Sequence, residues 1–94
     1  MNSFKTFSGR CSPQIVQRHF DVTVDGSPRR LHGVKGANGE WALALLTKTG
    51  WVEGWGFAWK TRTGWFIETG AFNVGAATMA NAISAAIAIG DEAA

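Results

Sequence analysis

The pentapeptide Thr47-Lys48-Thr49-Gly50-Trp51 recurs fourteen residues later as Thr61-Arg62-Thr63-Gly64-Trp65. In each copy, polar turn residues end on Gly and hand over to Trp, the chemistry of a tight hairpin entering a strand. Between the copies, Val52 to Lys60 alternates large aromatic with very small residues. The repeat therefore predicts three antiparallel strands with an aromatic-rich strand in the middle.

A chain of 94 residues has material for one core. The expected organisation is a flexible arm over residues 1–13 and a single α+β domain over residues 14–94. The arm carries Phe4 and Phe7, which could anchor it, and has no apolar run of signal-peptide type. Cys11 is the one cysteine, which suits a reducing compartment. From Gly70 to Gly90 no charge occurs, but Asn73, Thr78, Asn81 and Ser84 interrupt a stretch that is otherwise mostly Ala and Gly. Such a segment gains little in lipid, so no membrane association and a cytoplasmic location are expected. Residues 1–62 carry a net charge of +5 and residues 63–94 a net charge of −3. A charge asymmetry of this kind steers an acidic partner or is simply solvated.

Period-two alternation marks a half-buried strand over Ile15–Val24, followed by a turn at Asp25-Gly26-Ser27-Pro28. Further strands are expected over Arg29–Lys35, Trp41–Thr47, Trp51–Lys60 and Trp65–Thr69. Asn73 reads as the N-cap of a helix from Val74 to about Ile89, with Gly90 as its stop. Thr78, Asn81 and Ser84 mark its wet face; Ala76, Met79, Ala80, Ile83, Ala86 and Ile87 mark the opposite stripe. The fold class is thus α+β: a five-stranded, mainly antiparallel β-meander with one C-terminal helix packed on one face.

A sixteen-residue helix shadows on the order of 240 Å². Five strands of about 24 Å present roughly 580 Å² per face. Something else must cover the remainder: the arm, a curled sheet, a second protomer in a homodimer, or a partner.

On the fourth strand Trp51, Glu53, Trp55, Phe57 and Trp59 share one face, and Val52, Gly54, Gly56 and Ala58 the other. The aromatic face is either core beneath the helix, the usual place for large rings, or a platform for a partner's apolar groups or nucleobases. Composition leaves open which face the helix takes. Gly54-Trp55-Gly56-Phe57-Ala58 resembles the ribonucleoprotein motif of RNA-recognition and cold-shock domains. Glu53 departs from that motif's cation, and no helix follows the first strand as an RNA-recognition domain requires. Gly33-Val34-Lys35-Gly36 has the spacing of a KH-domain clamp but lies between strands instead of helices.

Arg29, Arg30, His32 and Lys35 form the densest basic cluster, and Lys48, Lys60 and Arg62 sit at or beside the meander turns. They are the candidates for phosphate contacts. No catalytic constellation is present: His19 and His32 lack metal-ligand spacing with Cys11, and a Cys11–His19 pair has no oxyanion motif. No enzyme activity, cofactor or metal is expected.

In size and style the chain resembles the small phage-encoded anti-CRISPR inhibitors: short, single-domain, cysteine-poor and without catalytic residues. That resemblance implies stoichiometric obstruction of a host CRISPR-Cas effector or another nucleoprotein complex. The expected function is protein–protein interaction, with Trp51, Trp55, Trp59 and Arg62 as anchors because interfaces favour Trp and Arg. Arg29, Arg30 and Lys35 complete the partner-binding set. Single-stranded nucleic-acid binding by the aromatic strand and basic turns is the alternative. A structural or assembly component is the third reading.

Overall fold

The computed structural model describes residues 16–93; the arm of residues 1–13, with Phe4, Phe7 and Cys11, lies outside them. The chain is α+β, with an antiparallel sheet of six strands and one C-terminal helix. The strands are β1 (Val16–Val24), β2 (Ser27–Lys35), β3 (Trp41–Thr47), β4 (Gly50–Thr61), β5 (Gly64–Thr69) and β6 (Asn73–Ala76), followed by α1 (Met79–Ala93). Each strand pairs with the next in chain order, so the sheet is a meander. Pairing of β1 with β2 begins at Val24–Ser27, directly beside the Asp25-Gly26 turn. Ser27 and Pro28, expected in the turn, therefore belong to the strand.

Both copies of the repeated pentapeptide close hairpins in the same way. The Thr47 hydroxyl donates to the Gly50 carbonyl at 2.8 Å, and the Thr61 hydroxyl to the Gly64 carbonyl at 3.1 Å. A third turn uses the same device without the Gly: Thr69 donates to the Phe72 carbonyl at 3.1 Å. This turn generates the sixth strand, at residues where the sequence predicts the N-cap and first turn of the helix. Val74 instead pairs with Ile67 and Asn73 with Glu68, because β-branched Val74 fits a half-buried strand.

The helix accordingly begins later and ends later than expected. Its cap is Thr78, whose hydroxyl accepts the Asn81 amide at 3.1 Å, while Asn73 lies in β6. Gly90 does not stop the helix, which continues to Ala93. Its buried stripe is Ala82, Ile83, Ala86 and Ile87. Ala80 is exposed, whereas Ser84, expected on the wet face, donates to the Thr23 carbonyl at 2.7 Å.

That stripe joins Val22, Val24, Leu31, Trp41, Leu43, Leu45, Ala58 and Ile67 in one core. The helix approaches β1 at one side of the sheet and β5 and β6 at the other more closely than the central β3 and β4. The sheet is thus curled around the helix, and larger central side chains fill the trough. Curling answers the area mismatch on this face and leaves the opposite face convex.

Gly33 sits inside this core face. A methyl group there would come within 2.6 Å of the Phe20 ring and 3.0 Å of the Trp41 ring. Those rings meet edge-to-face across it, 5.2 Å apart at 85°. The glycine that weakens β2 as an isolated strand is what lets two aromatics close over it. Gly33→Ala should destabilise the protein by about 1–3 kcal/mol through overpacking, despite its entropic advantage. Urea unfolding checks this. Thr78→Ala should cost about 0.5–2 kcal/mol by loss of the cap, measured the same way.

Candidate functional site

The orientation of β4 decides what the surface offers. Leu43 pairs with Gly56 and Leu45 with Val52, so one residue of β3 faces three of β4. This bulge is centred on Gly54, whose φ of 68° is left-handed. Two extra residues keep the alternation in phase on either side of it. Gly56 and Ala58 therefore face the helix with Leu43 and Trp41, while Trp51, Phe57 and Trp59 face away. The aromatic stripe is not core beneath the helix. Trp51 and Phe57 are each 42% exposed, and their neighbour Leu46 is 37% exposed. Trp59 is half-buried against Phe66, with ring centroids 5.2 Å apart.

Trp55 departs from the expected face. It lies inside the bulge and packs, half-buried, against the helix-side core. An irregular backbone at Gly54 breaks the local alternation that placed Trp55 beside Trp51. Glu53, in the same bulge, is exposed.

The basic residues do not converge. Arg29 turns to the helix side and pairs with Asp91 at 2.9 Å. Arg30 turns to the open face and holds both oxygens of Asp21, at 2.9 and 3.2 Å. Lys35 places its amine 6.0 Å from the Trp41 ring on the helix side, and Arg62 is exposed in the β4–β5 turn. Alternation along β2 separates neighbours in sequence onto opposite faces. Within the cluster, only Arg30 and His32 share the open face.

On that face Trp51 meets His19 and His32 at ring-centroid distances of 6.2 and 6.4 Å; neither belongs to the expected partner-binding set, although His32 is among the candidates for phosphate contacts. The signal was available: in a two-residue hairpin, residues equidistant from the turn pair directly, and His19 and His32 are equidistant from Asp25-Gly26. Phe66 and Leu46 were also missed, since nothing in their local sequence tells which face stays free.

An open cleft of about 850 Å³ lies at one end of the sheet, lined by Asp25, Ser27, Arg29, Lys48, Thr49 and Asp91 among others. Its two cations and two carboxylates leave no net charge to select a ligand. No group of three or more metal-ligating side chains occurs among the described residues. Among them, no helix is long and apolar enough to cross a membrane. No family model, no curated protein and no solved structure matches this chain.

The hydrogen bond from Arg30 holds the Asp21 carboxyl below the ordinary aspartate value of 3.8; its limited desolvation opposes this, and the charges of Arg30 and His19 add to the lowering. A carboxylate depressed in the folded state stabilises it above the unfolded pKa, and that contribution is lost as pH falls through the folded value. Carbon-detected NMR titration should place the Asp21 midpoint below 3.8. In Arg30→Gln the midpoint should return toward that value, and the small acid-side stability change should vanish.

Proposed function

We propose that this protein is a non-enzymatic binding module that engages a protein partner through the helix-free face of its sheet. One observation carries the reading: Trp51, Phe57 and Leu46 stay exposed beside Trp59 and Phe66 on a face that no element of residues 16–93 covers. Exposed aromatic clusters are where interface energy concentrates. The anchors are then Trp51, Phe57 and Trp59; Trp55 supports the face from the core side.

Electrostatics favour a protein over a nucleic acid. Glu68 is the direct cross-strand neighbour of Phe57, and Arg30 is already occupied by Asp21. A phosphate backbone following the rings would meet carboxylate before cation. Curvature favours a different partner over a second copy, because two convex faces touch only along a strip. The resemblance in size and composition narrows the proposal to a phage-encoded inhibitor that obstructs a host CRISPR-Cas complex in the cytoplasm.

Affinity capture from bacterial lysate, with and without nuclease, tests both levels. The wild-type chain should retain a stoichiometric protein or nucleoprotein complex after nuclease treatment. Trp51→Ser and Phe57→Ser should each weaken that complex by about 2 kcal/mol or more, roughly thirtyfold in Kd. Their thermal stability should stay within about 1 kcal/mol of wild type, as befits surface positions. Capture of nucleic acid alone, lost on nuclease treatment, would overturn the protein-partner reading. A retained complex with no nuclease component would leave that reading and remove the CRISPR-Cas form of it.

A further inference from the structure

His19 and His32 are the only histidines of the 94 residues, and the sheet sets them directly opposite one another on β1 and β2. Both rings stand on the open face, with centroids 5.1 Å apart and planes inclined at 37°. Cross-strand partners on one face are held by the backbone ladder, so this spacing needs no long side chain to be immobilised. Trp51 lies beside both rings, at 6.2 and 6.4 Å, and limits the room into which they could turn apart.

The spacing is compatible with two imidazoles on a shared ion. A late first-row divalent cation binds imidazole nitrogen at about 2.0–2.1 Å, and the ring centroid lies about 1.1 Å farther out. Two ligands at adjacent positions, with an angle between about 90° and 109°, then have centroids about 4.5–5.2 Å apart. The observed 5.1 Å falls in that interval. We propose that His19 and His32 form a two-histidine site for a late first-row divalent cation, Ni²⁺, Cu²⁺ or Zn²⁺, with water in its remaining positions. Imidazole selects these ions over Mg²⁺ and Ca²⁺, which require oxygen ligands.

No third His, Cys, Asp or Glu completes a set among the described residues. Asp21, next on the same face of β1, is held by Arg30. Affinity therefore rests on two nitrogens, and removing either one leaves a single-ligand site. A bound ion would add two positive charges beside Trp51, at one end of the aromatic stripe, and so tie the charge of that face to metal supply.

Cys11→Ser is the background for the test, because a free thiol is the competing soft ligand. Isothermal titration with Ni²⁺ at mildly alkaline pH, where imidazoles are free to ligate, should show one saturable equivalent. His19→Gln and His32→Gln should each reduce affinity at least tenfold, and the double variant should abolish binding. Cu²⁺ should quench part of the tryptophan emission; Trp51→Phe should remove most of that quenching while the calorimetric equivalent remains. Should a His variant fail to fold, Zn²⁺ titration of the otherwise unaltered Cys11→Ser chain by NMR must shift both imidazoles together. No saturable binding, binding unchanged in the double variant, or Zn²⁺ shifts that spare the two imidazoles would each overturn the site.

Discussion

Alternation sends every residue of a strand to one face of the sheet or the other, and the fourth strand turns its small residues Gly56 and Ala58 to the helix side. Both are buried on the helix side. Ala58 belongs to the core shared with Ala82, Ile83, Ala86 and Ile87. The consequence lies on the reverse of the strand. Alternation sends Phe57 and Trp59 to the opposite face, and the bulge at Gly54, by adding two residues instead of one, keeps Trp51 with them. Close packing inside and aromatic exposure outside are one constraint seen from its two sides.

The charges follow the same geometry. Arg29 and Arg30 are adjacent in sequence, yet one reaches the helix terminus at Asp91 and the other crosses to Asp21 on the open face. The Arg29–Asp91 pair joins the basic first part of the chain to its acidic end. The basic cluster that looked dense along the chain is thereby divided and partly neutralised. An apolar, weakly charged convex surface is left on the open face.

Much of the fold was legible because it rests on local chemistry. The Thr-x-Thr-Gly turns, the Asp25-Gly26 hairpin and the alternation of β1 and β3 each declare themselves within a few residues. The sixth strand was hidden because Phe72 stands where the earlier turns have Gly, and because Ala-rich sequence reads as helix until Val74 finds Ile67 across the ladder. The same Ala-rich context hides Thr78 as the cap. Of the candidate site, Trp51 and Trp59 hold their expected shared face, Trp55 leaves it at the bulge, and His19 and His32 enter through register.

The sequence by itself determined the meander, the terminal helix and the fact that β4 has a large face and a small one, since period and turn chemistry are local properties. Only the tertiary structure decided which of those faces the helix covers. Burial of large rings as a class argues for one answer, and the volume already supplied by neighbouring strands argues for the other. The second prevails here because Leu31, Leu43, Leu45 and Trp41 from neighbouring strands already fill the trough, so of the β4 rings only Trp55, displaced at the bulge, packs half-buried on that side.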